Sequence, residues 1–169
     1  MLQHAVDAAL LSGTTLLCKG LNQISRLNQQ LLFYHHLLKL AEAGQIVYGP
    51  VGGKLTVSAI KLKIKAIARK QDWIQKIYPV RASKKLFGIA HRNNAPHVIT
   101  TPLLVPYAIE RAPIPSELPG PYVLTPDALQ KHRWNISGYL YRGAYRAKAS
   151  AVLKGENLLT AHWKGYLNE

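Results

Sequence analysis

The side chains best equipped for chemistry are cations crowded into two stretches. The first holds Lys61, Lys63, Lys65, Arg69, Lys70, Lys76, Arg81, Lys84, Lys85 and Arg92, with Asp72 as the one acid among them. The second holds Lys131, Arg133, Arg142, Arg146, Lys148 and Lys154, with no acid between Asp127 and Glu156. A solvated face normally mixes both signs. Where the opposing charge is missing, an external polyanion relieves the self-repulsion most simply. Lys and Arg neutralise phosphates. The second stretch also interleaves Trp134, Tyr139, Tyr141 and Tyr145, whose flat rings either stack on unpaired bases or fill a core. The sequence thus points to a backbone contact. Its first part is the ten cations from Lys61 to Arg92, and its second is Arg142, Arg146 and Lys148.

The whole chain has the same bias. Its 169 residues carry 22 Lys plus Arg against 8 Asp plus Glu, a formal charge of +14, and 48% are hydrophobic. That apolar fraction suits a folded domain and is too high for a disordered basic tail. Other chemistry is scarce. The acids (Asp7, Glu42, Asp72, Glu110, Glu117, Asp127, Glu156 and Glu169) are all at least seven residues apart. Metal-dependent phosphoryl transfer needs clustered carboxylates. The histidines lack metal-site spacing, so neither a metal nor a cofactor is expected. Cys18 is the single cysteine, which excludes an internal disulfide. It suits an intracellular, reducing compartment such as cytoplasm, nucleoid or organelle matrix. One catalytic alternative survives. His91 and His97 flank a turn beside lysines, a pairing able in principle to cleave RNA by metal-free acid–base chemistry. Neither a G-x-S-x-G motif nor a phosphate-cradling P-loop is present.

No membrane partner is expected. No run approaches eighteen uninterrupted apolar residues. The nearest, 5–18, is broken by Asp7, Ser12, Gly13, Thr14 and Thr15, and no Lys or Arg precedes Lys19 to begin a secretory signal. The apolar side of the basic helix is needed for the core, which leaves nothing to insert into anionic lipid.

The elements that position these residues are read from periodicity. A first helix covers about 2–11 and stops at Ser12-Gly13. A second covers 21–43, with Ile24, Leu27, Leu31, Tyr34, Leu38 and Ala41 on one stripe. Its spacing suits a core helix and also a helix–helix seam with a partner. A hairpin follows, 45–48 with 54–57 around a Gly-rich loop. A helix from about Ala59 to Ile77, N-capped by Ser58, carries much of the first cluster. A second hairpin pairs 85–90 with 97–100. Eight of the ten prolines fall at 96–126, which disfavours regular structure there. The apolar residues among them predict either a strap over the chain's own domain or an arm docked on a partner. Thr125-Pro126-Asp127 opens a helix running to about Leu153, and a last helix spans 157–167.

The fold expected is α+β: N-terminal helices, one or two β-hairpins, a Pro-rich extended strap and C-terminal helices, in three parts, 1–95, 96–125 and 126–169. The function expected is non-catalytic binding of RNA or DNA, within a larger ribonucleoprotein or ribosome-like complex. Partner proteins would meet the 96–125 arm or the 21–43 helix. The alternative is a DNA-binding accessory protein of replication, plasmid transfer or defence. No helix-turn-helix or zinc-finger signature directs the docking.

Overall fold

The structure, a computed structural model, describes residues 2–44, 56–94, 99–101, 107–114, 117–125, 133–142, 145–154, 158 and 163–168. Two long helices dominate it, α1 (Leu2–Glu42) and α2 (Val57–Arg92). Six strands follow: β1 (Ile99–Thr101), β2 (Ile109–Arg111), β3 (Tyr122–Leu124), β4 (Arg133–Arg142), β5 (Tyr145–Lys154) and β6 (Lys164–Asn168). All pairings are antiparallel. β1-β4-β5-β6 form one sheet and β2-β3 a separate ribbon.

α1 runs straight through the expected stop. The hydroxyls of Ser12, Thr14 and Thr15 donate to Ala9, Leu10 and Leu11 carbonyls, so these residues bond back into the helix instead of capping it. Gly13 lets Leu86 of α2 approach: a Cβ there would stand 3.2 Å from a Leu86 methyl. Gly20 plays the same part against Tyr78 and Tyr107. These are close-packing glycines.

α2 starts at the N-cap Thr56, whose side chain accepts from the Ala59 amide at 3.3 Å. Its buried residues are Ile60, Ile64, Ala68, Gln71, Ile74, Tyr78, Pro79, Ala82, Leu86 and Ala90. Steps of mostly three and four make one stripe, laid antiparallel along α1. The stripe continues past Pro79, which explains why the helix does not end at 77. Packing of Ala82, Leu86 and Ala90 outweighs the lost hydrogen bond.

α1 lies between α2 and the sheet. Ala5, Val6, Ala9, Leu10, Leu17, Leu21 and Ile24 share one core with Ile74, Tyr78, Leu86, Tyr107, Tyr122, Ala147, Leu158 and Trp163. A smaller core, Leu31, Leu38, Ile60, Ile64 and Ala68, closes the far end of the helix pair.

The chain is therefore mostly helical with a minor sheet, and the expected α+β layout is corrected. Residues 85–92 of the second hairpin belong to α2. The first hairpin falls at 45–55, outside the described residues, with Val57 already helical. The expected C-terminal helices are strands at 133–142, 145–154 and 164–168. The physical reason lies in β5, where Ala147, Ala149 and Ala151 alternate with Arg146, Lys148 and Ser150. Alanine invites a helical reading, but a period of two puts small residues on one sheet face. Ala147 is buried on that face, and Gly165, opposite Leu153 of the same parity, approaches α1 so closely that a Cβ there would stand 2.8 Å from the Thr14 hydroxyl. The Thr125-Pro126-Asp127 helix opening lies outside the described residues after Thr125.

The Pro-rich stretch, expected to lack regular structure, contains β1 and the β2-β3 ribbon, because the prolines fall outside these three-residue strands. Its described segments 107–114 and 117–125 pack on the chain's own helices as a strap. Tyr107, Ile109, Tyr122 and Leu124 are buried, and the Tyr107 hydroxyl donates to the Leu17 carbonyl at 2.8 Å. Ile24, Leu27, Leu31 and Leu38 of the 21–43 stripe are core residues.

Candidate nucleic-acid interface

A stripe of buried residues on one side of α2 leaves the rest of its circumference to solvent, and the first basic cluster occupies that surface. Lys63, Lys65, Arg69, Lys70, Lys76, Arg81, Lys84, Lys85 and Arg92 are all exposed. Lys61 is half-buried and pairs with Glu42 of α1 at 3.1 Å. At 1.5 Å per residue, Lys61 to Arg92 spans about 46 Å. Among the described residues no carboxylate lies within ion-pair distance of the nine exposed cations.

Asp72, the one acid of the cluster, is already engaged. Arg111 of the strap donates to its Oδ1 at 2.6 Å, and also to the Ala68 and Gly120 carbonyls and to Gln71 Oε1. The Arg111 guanidinium lies 4.3 Å from the centroid of the Tyr122 ring. The Tyr122 hydroxyl stands 2.8 Å from Asp72 Oδ1 and 2.5 Å from Gln75 Oε1. Burial, reinforced by the bond to Asp72, pushes the phenol up to about 12. Beneath sits Asn28, fully buried. Its amide donates to the Tyr122 and Leu158 carbonyls and accepts from Gln71 Nε2 and the Tyr122 amide. This polar knot fastens the strap to both helices. It also removes Asp72 as a counter-charge for its neighbours.

The outer face of α2 carries something the sequence reading missed. Leu62 (68% exposed), Trp73 (49%), Val80 (54%) and Phe87 (36%) stand on the surface. Steps of eleven, seven and seven residues return to within about 20° of one direction on a helix. An apolar line therefore runs down the middle of the exposed face. Lys65, Arg69 and Lys76 flank one side, and Lys63, Lys70, Arg81 and Lys84 the other. The Arg81 guanidinium sits over the Trp73 ring, 5.2 Å from its centroid. The basic helix, expected to have no apolar surface to spare, buries one stripe and exposes another. The hint was in the sequence, as Ala66, Trp73, Val80 and Phe87 repeat every seven residues opposite the isoleucine stripe.

The second cluster is a β-hairpin. Register sets Arg133 opposite Lys154, Tyr139 opposite Lys148 and Tyr141 opposite Arg146, with Lys154 also opposite Lys164 of β6. Cross-strand partners share a face, so these positions fall together. It is the face opposite the one that carries Ala147 and Gly165 against α1. Arg142, opposite Tyr145, has the other parity, so the expected grouping of Arg142 with Arg146 is not formed. With α1 between α2 and the sheet, the two clusters do not merge into one surface.

Other candidate groups are placed plainly. Cys18 is buried, and desolvation pushes its thiol up to about 12, the environment of a structural cysteine. It borders a cleft of about 520 Å³ between α1 and β6, also lined by Lys19, Arg26, Lys164 and Tyr166. His35 contacts the Pro119 carbonyl at 3.1 Å, and His36 is exposed. His91 is exposed at the end of α2, and His97 lies outside the described residues. Among the described residues no group of three His, Cys, Asp or Glu could hold a metal, and no helix is long and apolar enough to cross a membrane. Comparison with protein families, with curated proteins and with solved structures finds no match.

Proposed function

We propose that this chain is a non-catalytic nucleic-acid-binding protein that grips the phosphate backbone along the outer face of α2, as one component of a larger nucleoprotein complex. The observation that carries the reading is the row of nine exposed cations on one helix, Lys63 to Arg92, whose nearby acid is tied to Arg111. Such a face concentrates positive potential, and its Lys and Arg release the counterions condensed on a polynucleotide. Arg133, Arg146, Lys148 and Lys154 hold register positions of one parity on the sheet, which lies across α1 from α2. Their role is a second contact, reached by another stretch of polynucleotide or another strand. The accessory DNA-binding reading uses the same helix and differs only in the preferred polymer.

The test is protection from lysine acetylation. Added polynucleotide should slow acetylation of Lys63, Lys65, Lys70, Lys76, Lys84 and Lys85 while leaving Lys19 and Lys39 of α1 unchanged. Binding with unprotected α2 lysines would move the contact elsewhere, and absence of binding to any polynucleotide would end the proposal.

A further inference from the structure

We infer that the outer face of α2 is built for a single-stranded polynucleotide, whose bases stack on Trp73 and Phe87 while its phosphates meet the lysines on either side. The inference rests on the reading of α2 as the nucleic-acid contact and adds the class of polymer. Two exposed rings on a cationic helix are the parts that strand-tracking surfaces use. Flat aromatics supply stacking with any base, and flanking Lys and Arg supply the electrostatic track.

Trp73 and Phe87 lie fourteen residues apart, about 21 Å along the axis, which leaves room for several nucleotides between two stacking points. Leu62 and Val80 extend the same line and would meet sugar and base faces. Arg81 sits over the Trp73 ring. That pairing holds the indole at the surface and adds a cation where a stacked base brings its phosphate.

The shape of α2 argues against a duplex as the main ligand. The exposed apolar line from Leu62 to Phe87 covers about 38 Å. A duplex groove winds through a full turn in about 34 Å, so a single helix this long does not follow the groove over its whole length. Only part of the basic row would then contact phosphate, and the apolar line would face a charged backbone. A flexible single strand follows the whole length. An anionic bilayer is the other surface that combines negative charge with apolar depth. It fits less well, because the line is only one residue wide and Arg69, Lys76 and Lys84 border it closely on both sides.

The experiment compares an oligothymidylate of about 20 nucleotides, a DNA duplex of equal length, and phosphatidylserine–phosphatidylcholine vesicles, each with the full chain. Trp73→Leu and Phe87→Leu keep apolar area and remove the ring. Trp73→Phe restores a ring. All are at exposed positions, and circular dichroism with a thermal midpoint checks that each variant is folded. The parent should prefer the oligothymidylate to the duplex. Each Leu variant should lose on the order of tenfold in affinity for it, Trp73→Phe should recover most of that, and duplex affinity should hardly move. Leu variants that bind the oligothymidylate as tightly as the parent, or a parent that prefers duplex, would overturn the inference. If Lys65→Glu with Arg69→Glu still weakens binding in that case, α2 remains the contact. If the double charge variant changes nothing, the underlying reading fails instead. A parent that ignores the oligothymidylate but binds vesicles through Trp73 would also overturn the inference, in favour of lipid.

Discussion

The sharpest consequence of a cationic helix is how its binding responds to salt. For single strands the slope of log affinity against log salt is about −0.7 per neutralised phosphate. If a strand meets only the row Lys63, Lys70, Arg81 and Lys84, the slope is about −3. If it engages all nine exposed cations of α2, the slope is about −6. Between about 50 and 200 mM salt these slopes predict losses of about 50-fold and about 6,000-fold respectively. Lys65→Glu with Arg69→Glu removes two of the nine and should flatten the slope by about 1.4, with weaker binding at every salt concentration. Fluorescence anisotropy of a labelled oligonucleotide over a salt series measures both quantities. A slope shallower than about −1 would mean that phosphates do not sit on this helix, and a double variant whose slope matches the parent's would exclude the nine-cation contact and leave at most the row Lys63, Lys70, Arg81 and Lys84.

Three further outcomes probe the scaffold. Asn28→Leu strips four hydrogen bonds from a fully buried site and deprives Gln71 Nε2, the Leu158 carbonyl and the Tyr122 backbone of their Asn28 partner. Denaturant unfolding should show a loss of about 3 kcal/mol, and a loss under about 1 kcal/mol would mean that this knot does not hold the strap. Gly20→Ala drives a Cβ to 2.7 Å from the Tyr78 ring and against the Tyr107 hydroxyl. It should cost about 1–3 kcal/mol, whereas Gly88→Ala, with nothing within 4 Å, should be neutral or stabilising. Burial raises Cys18 from 9.0 and Tyr122 from 10.0, each to about 12, and raises Tyr107 further. A raised acid favours the folded state at low pH, so this stability is intact below pH 9 and lost as pH rises from 9 to 12. The native thiol should resist alkylation at pH 8, and Tyr122→Phe should blunt the alkaline loss. Rapid alkylation of the native protein would contradict the burial of Cys18.

How much of this was legible depended on which force decides each element. The isoleucines at 60, 64, 67 and 74 with Tyr78 announce one helix face, and the helix is there. Its true ends were hidden because Thr56, not Ser58, caps it, and because packing on α1 carries it through Pro79 and Gly88. Gly13 and Gly20 look like breakers, yet they are the points of closest approach. Only a partner surface distinguishes the two roles. The C-terminal third misled through alanine, whose helix propensity is strong. The β5 alternation obeys the sheet and the nearby Gly165–Thr14 contact. The ten cations from Lys61 to Arg92 stand out as a cluster in the sequence, since a charge imbalance needs no fold to be seen. The exposed line through Trp73 needed the fold, because aromatic residues are read by default as core.

The same charges predict a second salt effect of opposite sign. α2 places like charges at helical neighbour spacing, Lys61 with Lys65, Lys65 with Arg69, Arg81 with Lys84 and Arg81 with Lys85. Each such pair costs about 0.2–0.5 kcal/mol, so the free chain carries about 1–2 kcal/mol of internal repulsion. The buried stripe against α1 holds the helix together in spite of it, and Asp72 offers no relief because Arg111 has claimed it. Added salt screens repulsion between exposed charges. The unfolding midpoint of the free protein should therefore rise with salt over the range in which nucleic-acid affinity falls. Lys65→Glu turns two like pairs into two opposite ones and should stabilise the free chain by about 1 kcal/mol while weakening binding. A helix whose fold improves when its cations are neutralised does not keep them for folding. On the proposed reading, a polyanion supplies in the complex what the sequence withholds. A midpoint that falls with salt, or a Lys65→Glu chain less stable than the parent, would remove that reasoning at its root.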